Sequence, residues 1–590
     1  MSPLLLLVLH TTLPVLDEAK VDAWAQRVSS RCRTPGLAVA VVLGDQTLAK
    51  GYGLADVESK RPVDAEHTRF ALASVTKTVT AAAVLQAVRE GKLELHTKLD
   101  RTVQGVALPA SLTLHQLLTH TSGLDDSLIG AAARSPAALQ PLSTFLAAHP
   151  PVSIARPGAL WSYSNRNYSL AGLALEQASG EPFARYVQRH LLAPLGLEHS
   201  GFGPASDGDT LATVYDVSPE GTTPAPWPWT NDVPAGGMNA TASDMLRLLQ
   251  ALLGGAGLDG SVRAGLLDVQ YRFHQQLPGM TYGLMEAEHA GHVVLMHEGN
   301  MGAVAALLYL VPKLKLGVFA AVNGGGEECD LVGLPHALID APEHHGVATG
   351  SFVQPEATLR ALEGTYRTTR YPHATFEKVG VVVGLVREVE VRVQPDGTLG
   401  VGRGRYRGVG DGVFRQVDGE GRVAFRDGQL SNGAATTYVR VPWYAALTLH
   451  RVAMVACLMV LLITAIFGTV AAVWRFVRRR EAALPLVRRV RLTSVLLAVG
   501  SLAFVGGLAA PFFGPMGPSW LLYGVPVTVQ AVLLLPYALA ALASATIWWA
   551  VATWRRRAGS LFGRIGYSLV GLTGVTFITW LWYWHLVGPA

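Results

Sequence analysis

The sequence predicts a mixed α/β (α+β) domain, then a small all-β domain, then a bundle of four apolar helices. Three observations support this prediction. Strand-like and helix-like hydrophobic patterns alternate over residues 18–345, short strands broken by glycine turns occupy residues 352–441, and four long apolar stretches follow Pro442. A chain of 590 residues is too long for one hydrophobic core, so several domains are expected.

The first 17 residues begin Met-Ser-Pro-Leu-Leu-Leu-Leu-Val-Leu. This resembles the apolar core of a signal peptide that lacks the basic residues normally found before it. We therefore expect residues 1–17 to be a signal-peptide remnant. The alternative is a short apolar tail.

The elements of residues 18–345 are predicted from local patterns. Leu37–Leu43 is an apolar, β-branched run typical of a buried strand. Thr76–Gly91 has helical periodicity and ends at a glycine, which commonly follows a helix C-terminus. Val304–Val311 and Leu316–Val322 predict two strands joined by a short turn.

Residues 352–441 contain short strand patterns separated by Asp-Gly and Asn-Gly turns. The predicted strands are Val381–Val383, Glu388–Val393, Leu399–Val401, Val423–Phe425 and Thr437–Val441. The pattern indicates a barrel or a meander. Because no chemical motif is apparent there, we interpret this domain as a spacer above a membrane.

The apolar stretches predict a membrane domain over residues 443–590. They are Val452–Trp474, Leu492–Phe513, Tyr523–Val551 and Tyr567–Val587. Each is long enough to cross a bilayer, which needs about 20 residues. Tryptophan and tyrosine lie near their ends, as is typical of membrane interfaces. The sequence therefore predicts four transmembrane helices with the lipid bilayer as their partner.

The charges between the apolar stretches predict their orientation. The first connection carries seven arginines and one glutamate over 475–491, the second carries no charge, and the third carries four arginines over 555–564. Arginine-rich loops stay in the cytoplasm. We therefore expect a multi-pass protein of the cytoplasmic (inner) membrane, with residues 1–442 on the extracytoplasmic side.

The composition excludes other classes of protein. The net charge of +5 does not indicate nucleic-acid binding, because the arginine excess lies beside the apolar stretches. Three cysteines are too few for a disulfide framework or a metal site, and no metal or other cofactor is expected. A transporter is disfavoured, because the apolar stretches hold few ionisable residues at mid-depth. No pattern indicates an oligomeric state.

Ser74 and Lys77 are the first candidates for chemistry, in the segment Phe-Ala-Leu-Ala-Ser-Val-Thr-Lys. Residues i and i+3 lie on one face of a helix. A serine hydroxyl is a weak nucleophile that needs a base, and lysine can serve where burial lowers its pKa. The chain has nine lysines among 48 basic residues, so a lysine at this spacing is less expected as a surface charge.

Two further motifs place polar groups close together in the sequence. Tyr163 and Asn165, in Trp-Ser-Tyr-Ser-Asn, offer a phenol that can relay a proton and an amide that can hold a carbonyl. His297, Gly299 and Asn300 form His-Glu-Gly-Asn, in which the glycine would let a substrate backbone approach closely. Each motif alone is more often structural than functional.

Together these motifs resemble the serine β-lactamase and penicillin-binding-protein superfamily, and more narrowly its class C, D-aminopeptidase and esterase branch. They occur in the order Ser-x-x-Lys, Tyr-x-Asn and His-x-Gly, about 90 and about 130 residues apart. Leu117–Leu124 (Leu-Leu-Thr-His-Thr-Ser-Gly-Leu) and Pro234–Asp244 add to the resemblance, which covers about residues 20–340. It implies a serine hydrolase fold in which helices cover an antiparallel sheet.

The resemblance also implies the catalytic roles. Ser74 would attack a carbonyl and form an acyl-enzyme. Lys77 would act as its base. Tyr163 would share that role and protonate the leaving group.

The same resemblance implies the binding residues. Asn165 would contact the substrate amide, and His297, followed by Gly299, would stand where β-lactamases carry a lysine. The backbone N–H groups of Ser74 and Asn300 would form the oxyanion hole. Because histidine lacks the permanent cation of lysine, efficient β-lactamase or D,D-carboxypeptidase activity is not expected.

The expected function is therefore a membrane-anchored, extracytoplasmic peptidase, amidase or esterase acting on a small-molecule or peptide substrate. The alternative is a penicillin-binding or cell-wall-fragment sensor with weak or no turnover. His115 and His120 are interpreted as structural. Trp227 and Trp229 either line the substrate cleft or pack at the surface.

The resemblance also implies a disulfide. In the implied fold the first strand pairs with the last strand of the sheet. Cys32 precedes the first strand and Cys329 follows the last, so their ends would be neighbours. The extracytoplasmic side permits disulfides, and we predict a bond between these two cysteines.

Overall fold

The computed structural model describes residues 15–205, 208–339, 354–433, 435–477, 484–514 and 517–588. The predicted signal-peptide remnant, apart from residues 15–17, lies outside them. The chain divides into two compact units. The first contains the residues up to 124, 132–361 and 393–437, and the second contains 125–131, 362–392 and the residues from 438 onward.

The region up to residue 339 alternates strands and helices as expected. Its helices are α1 Glu18–Cys32, α2 Thr76–Arg89, α3 Leu114–Leu118, α4 Leu142–Ala148, α5 Asn165–Ser179, α6 Phe183–Val187, α7 Val233–Gly236, α8 Ala242–Leu252, α9 Gly260–Leu267 and α10 Gly333–Leu338. Its strands are β1 Gly36–Leu43, β2 Gln46–Asp56, β3 Arg61–Pro62, β4 Thr68–Ala71, β5 Gly201–Phe202, β6 Thr210–Leu211, β7 Val214–Ser218, β8 Gly221–Ala225, β9 Met238–Ala240, β10 Met285–His289, β11 His292–Met301, β12 Val304–Val311 and β13 Leu316–Val322.

The main sheet has the strand order β10-β11-β12-β13-β1-β2-β3, and its pairs are antiparallel. Alternate residues of β1 enter two different cores, as the pleat of a strand requires. Leu37 belongs to the apolar cluster that contains Val21 of α1, whereas Ala38 belongs to the cluster that contains Val79 of α2. The predicted antiparallel sheet covered by helices is therefore confirmed.

A disulfide joins Cys32, the last residue of α1, to Cys329, which follows β13. The sheet brings them together because β1 pairs with β13, with Leu37 opposite Val322. The two Cα atoms are 5.1 Å apart. The predicted bond is confirmed.

Eight strands form a closed β-barrel after the main sheet region, in sequence order. They are β14 Gly364–Thr368, β15 Glu388–Val393, β16 Leu399–Val401, β17 Gly404–Gly410, β18 Val413–Gln416, β19 Arg422–Arg426, β20 Gln429–Ser431 and β21 Thr437–Arg440. The region also contains the short helices α11 Glu356–Ala361 and α12 Gly380–Val383.

The predicted strand Val381–Val383 is wrong, because these valines belong to α12. Val381 is fully buried in an apolar cluster with Phe376 and Leu461. Tertiary packing has overridden the strand preference of a β-branched run. The other four predicted strands are confirmed, with β19 longer and β21 one residue shorter than expected.

Four long helices follow the barrel: α13 Leu447–Val477, α14 Pro485–Ala509, α15 Val527–Arg555 and α16 Leu561–Tyr583. Each is long and apolar enough to cross a membrane, which confirms four candidate spans by length and composition. Arg488, Arg489 and Arg491 lie within α14, because Pro485 begins this helix earlier than the sequence suggested.

Candidate active site

Ser74 lies in a single turn of 3₁₀ helix, Ala73–Val75, between β4 and α2. Pairing of β4 with β9 fixes the approach to this turn, and the Leu72 N–H donates to the Met238 carbonyl at 3.0 Å. Every other residue from 68 to 85 is buried, whereas Ser74 keeps partial exposure. Ser74 is therefore the residue of this buried segment that the turn leaves accessible.

Lys77, one helical turn beyond Ser74, has a fully buried side chain. Its Nζ lies 3.0 Å from Ser74 Oγ, 2.8 Å from Asn165 Oδ1 and 2.7 Å from the Ala235 carbonyl. An amine held by three neutral oxygens has a fixed position beside the hydroxyl. The sequence located Asn165 but not the Ala235 carbonyl, because a backbone oxygen has no residue-type signal.

Tyr163 provides a second proton-transfer group at Ser74. Its Oη lies 3.0 Å from Ser74 Oγ and 3.3 Å from His297 Nε2. Its ring also lies 4.9 Å from Lys77 Nζ, measured to the ring centroid. Ser74 Oγ thus accepts hydrogen bonds from both an amine and a phenol, and the deprotonated form of either group can take its proton.

His297, on β11, is 1% exposed. Its Nδ1 lies 2.8 Å from the Gly283 carbonyl, and its Nε2 faces the Tyr163 phenol. Because a carbonyl only accepts hydrogen bonds, Nδ1 must carry a proton. The structure therefore adds a contact with Tyr163 to the substrate-side position that the sequence predicts.

Gly299 lets β11 run directly past the Ser74 turn. A Cβ at residue 299 would lie 2.2 Å from the Leu72 carbonyl oxygen and 3.1 Å from Ser74 N. Strand β10 pairs with β11 only as far as Met296, so the following edge of β11 passes the turn. The motif predicts that this glycine lets a substrate backbone approach, and in the structure it also lets the protein's own backbone approach. Asn300 is the next residue on this edge.

His120 positions Tyr163 and is fully buried, in agreement with its structural interpretation. The rings of His120 and Tyr163 lie 4.2 Å apart. His120 Nδ1 accepts from the Ser164 N–H at 3.2 Å and contacts Asn167 Nδ2 at 2.9 Å. A buried ring with two donors at one nitrogen fixes the start of α5 and the tyrosine before it.

The barrel region also supports Tyr163. The Tyr163 N–H donates to the Ala435 carbonyl at 3.0 Å, and the Thr437 N–H donates to the Trp161 carbonyl at 2.9 Å. Tyr163 and Trp161 share a buried apolar cluster with Val413 of β18. The spacer interpretation remains a prediction, and the structure adds these contacts to it. The sequence does not indicate them, because no motif marks backbone contacts.

Trp227 packs beside the candidate site. It is partly buried against an apolar cluster that contains Ala71, three residues before Ser74. Met301, one residue after Asn300, packs against the same cluster. Trp229 lies 5.8 Å from Trp227, measured between ring centroids. This apolar cluster therefore involves residues that lie close in sequence to both Ser74 and Asn300.

One group among the described residues has side chains suited to a metal: His67, His199 and Asp209. His67 Nδ1 and His199 Nδ1 lie 3.1 and 2.9 Å from Asp209 Oδ1, and Arg69 Nε lies 3.0 Å from Asp209 Oδ2. Hydrogen bonds and an ion pair to Arg69 already account for this arrangement. The group lies outside the seven predicted site residues.

The site combines a partly exposed serine with a buried lysine and a tyrosine on a sheet covered by helices, and this arrangement is chemically suited to a serine nucleophile. Residues 21–341, more than half of the chain, match the family model described as Beta-lactamase. The protein therefore belongs to the β-lactamase family.

Curated relatives carry several names. The chain is similar to the putative penicillin-binding protein PbpX of Bacillus subtilis, with 29% identity over 228 residues, which are 37% of this chain and 55% of that protein. It is similar to the esterase EstB of Burkholderia gladioli, with 34% identity over 222 residues, which are 34% of this chain and 56% of that protein. The chain thus spans about half the length of these two relatives.

Two further similarities cover more of the other protein. AmpH of Escherichia coli, named a D-alanyl-D-alanine-carboxypeptidase/endopeptidase, is 25% identical over 333 residues, 51% of this chain and 83% of that protein. The crystal structure of SurE superposes with a TM-score of 0.52 and 22% identity, covering 72% of this chain and 99% of that chain. This likeness shows a shared fold, and it extends beyond the segment matched by the family model.

Proposed function

We propose that this protein is a membrane-anchored peptidase, amidase or esterase that works outside the cytoplasm through an acyl-Ser74 intermediate. The observation that carries the proposal is the position of Ser74 Oγ, 3.0 Å from both Lys77 Nζ and Tyr163 Oη. A serine becomes a nucleophile when a base takes its proton.

In the proposed acylation, Ser74 Oγ attacks the substrate carbonyl carbon and its proton passes to Lys77 Nζ. The backbone N–H groups of Ser74 and Asn300 receive the oxyanion, a stabilisation of about 3–4 kcal/mol per donor in other hydrolases. The close passage of Gly299 beside Ser74 N supports this assignment. When the intermediate collapses, the carbon–nitrogen or carbon–oxygen bond breaks and the leaving group takes a proton from Tyr163 Oη, which Lys77 replaces.

In the proposed deacylation, a water molecule attacks the acyl carbon. The Lys77 and Tyr163 pair accepts one proton from the water and returns one to Ser74 Oγ as the ester bond breaks. The products are a carboxylic acid and the free serine hydroxyl. Asn165 supports both steps by holding the Lys77 amine through its Oδ1.

His297 favours substrates without a terminal carboxylate. Its Nδ1 is occupied by the Gly283 carbonyl and its side chain is almost fully buried, so it presents no permanent cation to a ligand. The apolar surface at Trp227 favours a hydrophobic group next to the cleaved bond.

Two observations support the extracytoplasmic position of the hydrolase. The arginine-rich connections favour a position of residues 1–442 outside the cytoplasm, by the positive-inside rule. The Cys32–Cys329 disulfide fits the same side, because disulfides persist in oxidising compartments and are rare in the cytoplasm.

The test is covalent labelling of the full chain in isolated membranes with a fluorophosphonate and with a fluorescent penicillin. The wild type is compared with Ser74→Ala and Lys77→Ala, and with Ser30→Ala and Lys98→Ala as exposed serine and lysine controls. We expect fluorophosphonate labelling of the wild type and both controls, no labelling of Ser74→Ala, and labelling of Lys77→Ala at least about 100-fold slower.

The penicillin signal distinguishes the proposed hydrolase from the alternative sensor. Weak penicillin labelling beside strong fluorophosphonate labelling supports a peptidase, amidase or esterase. Strong penicillin labelling that is lost only slowly from the protein favours the alternative, a penicillin-binding or cell-wall-fragment sensor. Absence of labelling by both probes in folded wild-type protein refutes the enzyme.

A further inference from the structure

A cavity of about 880 Å³ opens between α13, α14 and α16. One wall is apolar and is formed by Val460, Ile463, Phe467, Leu492, Val495 and Leu569. Several of these side chains are exposed on the surface of the bundle, so the cavity is open to the surroundings of the helices. Its apolar lining suits a hydrocarbon chain.

The other end of the cavity is strongly basic. Arg475, in the last turn of α13, and Arg488 and Arg491, in the first turns of α14, all line it. Arg491 Nε donates to Tyr567 Oη on α16 at 2.9 Å, which holds this guanidinium at the wall. No carboxylate is among the described residues that line the cavity. Three like charges at one end favour an anion.

Ser494 gives an independent indication of a ligand. Its side chain is 3% exposed and lines the cavity, and its Oγ has no hydrogen-bond partner among the described residues. Ser494 lies three residues after Arg491, so both point from one face of α14. A buried hydroxyl without a partner costs about 1–3 kcal/mol, and an anionic oxygen beside Arg491 would satisfy it.

We propose that this cavity binds an anionic glycerophospholipid of the surrounding membrane. The phosphate contacts Arg475, Arg488 and Arg491 and accepts a hydrogen bond from Ser494 Oγ, while one acyl chain lies along the apolar wall. Basic pockets between membrane helices, at their cytoplasmic ends, recognise such headgroups. The proposal rests on these helices crossing a membrane and does not depend on the hydrolase chemistry.

A free phosphate would leave the apolar wall without a partner, and a zwitterionic lipid would add a positive charge beside three arginines. An acidic diacyl lipid can pair its phosphate with the arginines and pack an acyl chain against the apolar wall. Gly566 offers a way to block it, because it lines the cavity and a Cβ at this position meets no atom within 4 Å. A leucine there can fill the space without disturbing the helix backbone.

The experiment is native mass spectrometry of the detergent-purified full chain with added phosphatidylglycerol or phosphatidylcholine. The variants are Arg488→Gln/Arg491→Gln and Gly566→Leu. The matched control is Arg555→Gln/Arg556→Gln, which removes two charges at the end of α15 outside the cavity lining. Elution as a single species and an unchanged melting temperature report on folding of each variant without measuring lipid, and fluorophosphonate labelling of Ser74 tests the proposed hydrolase separately.

We expect the wild type and the control to retain phosphatidylglycerol about tenfold better than phosphatidylcholine. The double arginine variant should lose that preference, and Gly566→Leu should retain neither lipid. Equal retention of the two lipids by the wild type, or an unchanged preference in the folded arginine variant, refutes the proposal. A failure of the fluorophosphonate to label Ser74 would contradict only the proposed hydrolase function and not the proposed lipid site.

Discussion

His297 Nε2 lies 3.3 Å from Tyr163 Oη, and on the other side of the ring Nδ1 lies 2.8 Å from the Gly283 carbonyl. Because the carbonyl fixes the proton on Nδ1, Nε2 is the atom that can exchange a proton with the phenol. His297 therefore contacts the tyrosine that contacts Ser74. A change at residue 297 should affect both the phenol and the choice of substrate.

We predict that His297→Lys shifts the chemistry toward carboxylate-bearing substrates. A lysine ammonium can contact the Tyr163 oxygen and also attract the carboxylate of a penicillin. The rate of labelling by fluorescent penicillin, divided by that for the fluorophosphonate, should rise by about tenfold, a gain on the scale of one charge-assisted hydrogen bond. His292→Lys, on the same strand, is the control. An unchanged ratio in folded His297→Lys would show that residue 297 does not select the substrate.

We predict that Gly299→Ala abolishes acylation and lowers stability. The added methyl group would lie 2.2 Å from the Leu72 carbonyl oxygen, so β11 or the Ser74 turn must move. Overpacking of this kind costs about 1–3 kcal/mol. Thermal unfolding and fluorophosphonate labelling measure the two effects. Gly260→Ala serves as control, because a Cβ there meets no atom within 4 Å, and normal labelling of Gly299→Ala would contradict the close approach.

We predict that loss of the Cys32–Cys329 bond destabilises the hydrolase region. The bond closes a loop of 297 residues, and removal of such a bond costs about 2–5 kcal/mol. Alkylation with and without reductant, read by mass, should show two thiols that react only after reduction. Cys32→Ser/Cys329→Ser should melt at a lower temperature than Cys457→Ser. Reaction of both thiols without reductant would exclude the bond.

We predict that His67 stabilises the fold at low pH and loses this effect at high pH. A hydrogen bond to the Asp209 carboxylate raises the pKa of His67 above 6.5. The stabilisation is complete below pH 6.5, where the imidazole is charged in both states, and disappears as pH rises through the raised pKa. His67→Gln should therefore lower the melting temperature more at pH 5.5 than at pH 8.5.

The control for this prediction is the same substitution in an Asp209→Asn background. Without the carboxylate, the pH dependence of the His67→Gln effect should vanish, as a double-mutant cycle would detect. An effect of equal size at both pH values in the original background would show that the hydrogen bond does not depend on the charge of His67.

Much of the site was predictable because its signals are local. Ser74 and Lys77 are separated by one helical turn, and the spacing alone indicates that their side chains meet. In the structure Tyr163 Oη lies within hydrogen-bond distance of Ser74 Oγ, and His297 Nε2 lies within hydrogen-bond distance of Tyr163 Oη. In the sequence these two residues are about 90 and 220 residues from Ser74. Only the resemblance to a family connected these distant motifs, since no local rule pairs residues so far apart.

The contributions that escaped prediction are made by backbone atoms and by tertiary packing. The Ala235 carbonyl accepts a hydrogen bond from Lys77, and the Ala435 carbonyl accepts one from the Tyr163 N–H. In the sequence, neither alanine can be distinguished from an ordinary core residue. The valines at 381–383 predicted a strand, yet they belong to a short helix in which Val381 is buried in an apolar cluster. Local preference is weak where burial of large side chains decides the conformation.

The pairing of β1 with β13 has a consequence for the path of the chain. The chain enters the main sheet and leaves it through neighbouring strands in the middle of that sheet, and the Cys32–Cys329 bond ties these two crossing points together. A protease that cuts an exposed loop between residues 33 and 328 would therefore leave both fragments in one covalent molecule. On a gel without reductant the nicked enzyme should run as a single band and separate into two only after reduction.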